Sequence, residues 1–433
     1  MASKKRKKKS TEILDTAFLF VKVLAFVLLF GMVVLFAISW YKNKYKPGHQ
    51  EETVVSVQEN VEETTQSEES NVVDLTASDD EEEVEEGPTE EELAEQARQE
   101  RIASLPGTVV EVEDDGRALS FSYVGDMLLD DSYATMNRYR AVGGDVEQIF
   151  TNGSLDIMRG ADILVINNEF PFTDRGTPLS GKLYTFRAKP ENVKILTDIG
   201  ADVAALANNH ITDFGLTSLE DTLDTLDSAG IYHMGAGRNI DEATTTIYVV
   251  KGDLVVALLN ATQLERLPVP DTAGATENSA GTFRCYDSAR LEEEIKKAKE
   301  YADYAVVYVH WGAEREVNLH AYETSQDDLY VDAGADLIVG AHPHILQQVG
   351  YVKGVPVVYS LGNYWFSSAS TDTGILSFDV SDEGVENLKF NPCVSEHCVV
   401  RLSDGNEKKR IIDYLNSLSD TAVIDDEGYI SSK

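Results

Sequence analysis

From about Ser120 onward, short apolar runs alternate with amphipathic stretches, the pattern of an α/β fold. The runs Leu119–Val124, Asp162–Ile166, Asp202–Leu206, Ala305–Val309 and Asp336–Val339 predict strands. Between them, Lys189-Pro190-Glu191 opens a helix with proline in its first turn, and Gly200 stops it. Thr217-Ser218-Leu219-Glu220 carries the capping-box pattern and predicts a helix closing at Gly230. Ser288–Tyr301 and Tyr322–Ala333 predict two more helices. Thr246–Leu259 reads as a hairpin turning at Gly252-Asp253, and a second hairpin turns near Lys353-Gly354. After Phe366 the pattern weakens: Thr373–Val380 and Cys393–Leu402 predict strands, and Lys408–Leu418 a terminal helix.

The first hundred residues follow other rules. A basic cluster, Lys4 to Lys9, precedes an apolar run from Val23 to Trp40 broken only by Gly31 and Ser39. Eighteen residues at about 1.5 Å each give roughly 27 Å, enough to cross a bilayer core. Trp40 and Tyr41 suit the interface, and the run exceeds a cleavable leader's core. The expectation is a basic cytoplasmic tail (1–22), a single-pass signal anchor (23–41) and everything beyond it outside the cell. Residues 42–104 predict an acidic disordered linker, although Glu90–Arg101 has helical character. The stretch from about Gln50 to Glu100 holds about half of the formal net charge of −38 and repels itself into an extended spacer. No basic face is evident, which argues against nucleic acid as a partner. A folded domain is expected over 118–368, with 369–433 as a C-terminal extension packed on it.

Candidate chemistry gathers after the strands. Asp126, Glu169, Asn209, His210, His310, His342 and His344 all follow apolar runs, and each is a residue type that holds borderline divalent cations. Loops at strand C-terminal ends are where α/β folds build their sites. In extended backbone His342 and His344 would share one side, with Pro343 favouring extension at His342, so both rings could reach one cation or two adjacent ones. Cys285, Cys393 and Cys398 are the three cysteines; outside a cell, Cys393 and Cys398 could close a short disulfide loop.

Several motifs occur in one order: Gly125-Asp126, Asn167-Asn168-Glu169, Ala207-Asn208-Asn209-His210 with Asp213 and Gly215, His310-Trp311-Gly312 with Glu314, Gly340-Ala341-His342-Pro343-His344, and Tyr359-Ser360-Leu361-Gly362-Asn363. In that order they resemble the CapA-type proteins of capsule and poly-γ-glutamate synthesis, whose soluble domain is similar to calcineurin-like metallophosphoesterases. The resemblance implies a four-layer α/β/β/α sandwich. It also implies Asp126, Glu169 (bridging), Asn209, His310, His342 and His344 as ligands of divalent metal (manganese, zinc or iron). His210 would be a proton donor oriented by Asp213, with Glu314 as a further supporting carboxylate. Lys182, Arg187 and Asn363 are candidates for holding an anionic substrate. Metallophosphoesterases begin with Asp-x-His, whereas Leu128 stands at the third position here, which thins the ligand set of one metal position.

Two functions follow as expectations. The first is a membrane-anchored extracellular subunit of capsule or poly-γ-glutamate synthesis or export. Its partners would be the anionic polymer, a ligase and integral membrane subunits. The alternative is an extracellular metal-dependent phosphoesterase.

Overall fold

A computed structural model describes residues 89–264 and 272–433. The expected basic tail, the anchor and the linker up to residue 88 lie outside the described residues. Among the described residues, no helix is long and apolar enough to cross a membrane.

Two large sheets carry the fold. In chain order the strands begin with β1 (Thr108–Val112), β2 (Leu119–Met127), β3 (Phe150–Thr151), β4 (Ile163–Asn168), β5 (Val203–Ala205) and β6 (Tyr232–Met234). Next come β7 (Ile247–Lys251), β8 (Leu254–Thr262), β9 (Tyr304–His310), β10 (Leu337–Ala341), β11 (Val349–Val352) and β12 (Val355–Val358). The last four are β13 (Asn363–Trp365), β14 (Thr371–Ser381), β15 (Gly384–Glu396) and β16 (Val399–Leu402). The seven-stranded sheet runs β1-β7-β8-β9-β10-β12-β11. The nine-stranded sheet runs β3-β16-β15-β14-β2-β4-β5-β6, with β13 added against the end of β2. The result is a mixed α/β fold with both expected hairpins in place.

Alternation explains how the sheets face each other even though their central strands are buried on both sides. Leu254, Val256 and Leu258 of β8, Val306 and Tyr308 of β9, and Leu337 and Val339 of β10 enter one apolar core with Phe121 and Tyr123 of β2 and Ile163 and Val165 of β4. The intervening residues Val255, Ala257, Val307 and Ile338 point the other way, onto Leu291, Ile295 and Tyr330 of the helices Ala289–Lys299 and Ala321–Ala333. Leu164 and Ile166 likewise meet Ile195, Leu219 and Leu223 of the helices Val193–Ile199 and Leu216–Ala229. The inner core is therefore shared by two sheets, and each sheet has helices on its outer face.

Several expectations change. The segment Glu90–Ala103 is a capped helix, closed by reciprocal bonds between Thr89 and Glu92. It docks through Arg98 Nε on Gly252 O at 2.8 Å and Arg101 on the Asp303 carboxylate at 3.0 Å, so the disordered linker does not extend to 104. β1 pairs in parallel with β7, which places the start of the fold ahead of 118. Residues 369–433 are not an appended extension, because β14 bonds β2 from Leu119 to Val124 inside the larger sheet. Cys393–Leu402 is not one strand: it reverses at His397 and Cys398, both with positive φ, and Cys393 ends up across from Leu402. All three cysteines are free, buried thiols. The capping box at Thr217 does not form, because the helix Leu216–Ala229 starts at Gly215 and Ser218 Oγ bonds Gly215 O instead.

One close approach ties the larger sheet to its functional end. Asp126 N donates to Gly362 O at 3.0 Å, and a Cβ on Gly125 would lie 1.9 Å from that same oxygen. Gly125→Ala is therefore expected to cost about 1–3 kcal/mol by overpacking. Urea unfolding followed by circular dichroism measures it; an unchanged midpoint would mean that the β2–β13 contact relaxes freely.

Candidate metal centre

The strands that carry the chemistry run in parallel within their sheets, β2-β4-β5 in one and β8-β9-β10 in the other. Their C-terminal ends therefore lie together at one end of the shared core. Alternation that sends Ile163 and Val165 inward sends Asn167 the same way, and Val306 and Tyr308 are continued by His310. Asp126 needs a correction to that count. Between Tyr123↔Val165 and Asp126↔Asn167, β2 uses three steps against two on β4. This bulge puts Asp126 on the inward face of Tyr123 while Val124 and Met127 join the outer core. Asn260 of β8 joins the sheets beneath the centre, donating to Tyr308 O at 2.9 Å and accepting from Ala207 N at 2.7 Å.

Two groups of ligand atoms result, Glu169 with His310 and His342, and Asp126 with Glu169 and His344. Within each group the atoms lie within 4.8 Å of one another, and Glu169 belongs to both. Its Oε1 is 3.6 Å from His310 Nε2 and 3.8 Å from His344 Nε2. Asn209 Oδ1 stands 3.0 Å from His310 Nε2, and His344 Nδ1 is 2.9 Å from both Asp126 Oδ2 and Asn363 Oδ1. Glu169 and Asp126 are fully buried. Among the described residues, Glu169 Oε1 and His342 Nδ1 have no hydrogen-bond partner, a condition that costs about 1–3 kcal/mol per buried polar group. A divalent cation would satisfy both atoms, and the mixed oxygen and imidazole donors fit manganese, zinc or iron.

The local electrostatics point the same way. Burial, reinforced by Asp126, pushes the Glu169 carboxyl well above its usual range. Burial and then the neighbouring His344 draw His310 well below its usual value, and burial with His310 does the same to His342, so both rings are neutral and competent as ligands. Burial opposes charge on His344 as well, but the Glu169 and Asp126 carboxylates outweigh it and raise the ring to about 9.

The residues expected at the site do come together, with several differences in role. His342 and His344 are not in extended backbone: β10 ends at Ala341, and their φ angles are 100° and 59°. The turn is held by Arg315 N on Pro343 O at 2.8 Å, and it deals one histidine to each ligand group. Asp213 is buried, with Oδ2 2.7 Å from His210 Nδ1 and accepting from Phe186 N at 2.7 Å. Lys182 is not available to a substrate as expected. Its Nζ bonds Asp213 Oδ1 at 2.6 Å and also the carbonyl of Asn209, so it braces the Asn209-His210 loop. Arg187 is exposed, with its guanidinium 4.6 Å above the Phe214 ring. Asn363 Oδ1 faces His344 Nδ1 rather than open solvent. Glu314 is exposed and acts on Glu169 and His344.

Asn167 was missed as a site residue. Its Nδ2 donates to Asp126 Oδ1 at 2.7 Å and lies 3.4 Å from His310 Nδ1. The inward parity of β4 was the signal that could have found it. Phe186, packed 4.3 Å from the His210 ring, and Phe366, 4.7 Å from His344, form an aromatic wall that periodicity does not reveal.

This set of motifs and strand ends defines a class. The family model described as Bacterial capsule synthesis protein PGA_cap matches residues 120–368, more than half of the chain, and the chain belongs to that family. It is 29% identical over 290 residues to the PGA biosynthesis protein CapA of Bacillus subtilis (strain 168), covering 63% of this chain and 71% of the relative. It is 30% identical over 285 residues to the capsule biosynthesis protein CapA of Bacillus anthracis, covering 63% and 67%. Among solved structures, Thermus thermophilus sulfate thiohydrolase SoxB aligns with 71% of this chain and 60% of its own at 13% identity and a TM-score of 0.35, too low to support an inference about this chain.

Cation binding is expected to depend on pH with a defined sign. His344 carries a proton below about 9 in the cation-free protein, and only its neutral ring can ligate. Binding beside Asp126 must expel that proton, so affinity there rises by up to about tenfold per pH unit toward pH 9. Calorimetry at pH 7.5 in buffers of different ionisation enthalpy counts the released protons; zero release would remove His344 from the ligand set.

Proposed function

We propose that this chain is a membrane-anchored, outward-facing subunit of a poly-γ-glutamate capsule synthesis or export assembly, with a divalent-cation centre built on Glu169. The observation that carries this reading is the family match over 120–368, which contains every ligand-bearing loop from Asp126 to Asn363. The apolar run 23–41, with the heavier basic cluster before it, supports a signal anchor with a cytoplasmic N-terminus. The domain then works outside the cell on the emerging polymer, beside a ligase and integral membrane subunits. The two packed sheets with outer helices support a metallophosphoesterase-like four-layer fold.

In this reading Glu169, His310, His342 and Asn209 hold one cation, and Asp126 with His344 and the shared Glu169 faces a second position. A cation there supplies Lewis-acid attraction for an anionic oxygen. The chain's own residues do the rest. The aromatic wall of Phe186 and Phe366 stands against His210 and His344, and the Lys182–Asp213 pair, both nearly fully buried, braces the Asn209 loop. In a strain lacking this gene, the parent chain is expected to restore surface polymer, while His310→Ala and Glu169→Gln, at equal protein level, restore less than about a tenth. Full restoration by both variants would overturn the reading of the centre, and normal polymer in the deletion strain would overturn the assignment to capsule synthesis.

A second reading, an extracellular phosphoesterase, is favoured by the His210–Asp213–Lys182 chain. Asp213 engages His210 Nδ1 at 2.7 Å, which leaves Nε2 as the atom that exchanges protons. Burial lowers the His210 pKa, so the ring is neutral near pH 7 and must take a proton before it can give one. If the cation-loaded protein hydrolyses aryl phosphate esters, His210→Ala is expected to slow turnover by about 10²–10⁴-fold. Absence of turnover in the loaded parent rejects this second reading and leaves the first standing.

A further inference from the structure

We infer that Asn363 supplies the ligand that Leu128 cannot, completing a second cation position with Asp126, His344 and the shared Glu169. The inference rests on the cation-centre reading above and goes beyond it in naming how the thinner position is closed.

Leu128 is turned away from the centre. It is fully buried in the apolar cluster on the outer face of the larger sheet, with its N–H on Trp365 O at 2.9 Å and its carbonyl accepting from Thr135 Oγ1 at 3.1 Å. The backbone brings a different residue to Asp126. β14 pairs with β2 only as far as Val124, and beyond it β13 takes over with Asn363 directly opposite Asp126. The turn before Asn363 is built for this approach: Gly362 has φ 69°, its N–H bonds Ser360 Oγ at 3.1 Å, and Thr373 Oγ1 bonds Leu361 O at 2.8 Å. The absent side chain at Gly125 lets Gly362 come in.

Two of the donor separations are those that a cation requires. Asp126 Oδ2 and Asn363 Oδ1 each stand 2.9 Å from His344 Nδ1. Donors at right angles around a cation with bonds of about 2.1 Å lie about 3.0 Å apart. Glu169 Oε1, buried and without a hydrogen-bond partner among the described residues, is the fourth donor; it stands 3.8 Å from Nε2 of the same His344 ring and 3.6 Å from His310 Nε2. The side-chain oxygen of an asparagine is a competent hard-cation ligand. The competing role for Asn363 is an acceptor for a protonated His344 in a centre with one cation only.

Mn²⁺ titration of the purified full chain, with electron paramagnetic resonance of the loaded protein, separates the two. The parent is expected to bind two Mn²⁺ and to show an exchange-coupled signal through Glu169. Asn363→Ala is expected to weaken one of the two by at least about tenfold and to give the six-line signal of an isolated ion. Asn363→Asp keeps an oxygen donor and is expected to retain two coupled ions, which guards against misfolding of the alanine variant. Asn209→Ala is expected to weaken the other position and leave the Asp126 side occupied. Two coupled ions in a folded Asn363→Ala, loss of an ion in Asn363→Asp, or a single ion in the parent overturns the role of Asn363. No ion in the parent overturns the centre itself.

Discussion

Most of the functional end of this fold depends on one carboxylate that the protein alone leaves unsatisfied. Glu169 is fully buried, belongs to both ligand groups, and among the described residues has an oxygen with no hydrogen-bond donor. Burial and the adjacent Asp126 both work against its charge. A neutral Glu169 would be a poor bridge, and a charged one without a cation would be a heavy cost in a medium of low dielectric. The neighbouring histidines resolve this only in part, because His310 and His342 are themselves driven neutral by burial. What remains is a set of donors whose mutual repulsion is relieved by positive charge arriving from outside.

Much of this arrangement was legible before any coordinates. Strand positions, both hairpins and the order of the strand-end residues follow from apolar alternation, and the inward faces of β4 and β9 could have been read by parity alone. Three features were not legible because they depend on contacts distant in the sequence. The bulge in β2 that turns Asp126 inward is set by its pairing with β4. The reversal at His342 and His344 overrides the extended preference before Pro343, since β10 stops where the loop from Arg315 holds it. The helical character of Glu90–Arg101 was legible, but its docking on the domain was not, because acidic composition placed it in the spacer. Arg98 and Arg101 meet carbonyl and carboxylate partners on the Gly252 turn and at Asp303, which only the fold brings near.

Lys182 shows why residue type alone misleads about role. A lysine in a loop beside a suspected anion site reads as a substrate contact. Here its ammonium is nearly fully buried against Asp213, which in turn fixes His210. A paired, desolvated charge of this kind is costly to break and has little left to offer a ligand. Its contribution is to keep Asn209 and His210 at fixed distances from His310. Arg187, exposed over Phe214, keeps the freedom that Lys182 has lost.

Access to the centre sharpens the case for a cation in a protein of capsule synthesis. Among the histidines and carboxylates of the two ligand groups, His344 has the most exposed side chain, at 14%, while Asp126 and Glu169 have none exposed and His310 only 2%. The His344 and Asn363 side is therefore the open approach to the centre. The exposed Glu314 raises the pKa of His344 and of Glu169, so it adds negative potential on that approach. Without a cation, Glu314, Asp126 and Glu169 act against an approaching anion, opposed by His344 and the buried Lys182. One divalent cation on Glu169 cancels that field at the point of contact, within a distance where solvent ions screen poorly. Under the role proposed above, the same acidic ligands that repel a polyanion would become, once loaded, the reason it can be held there.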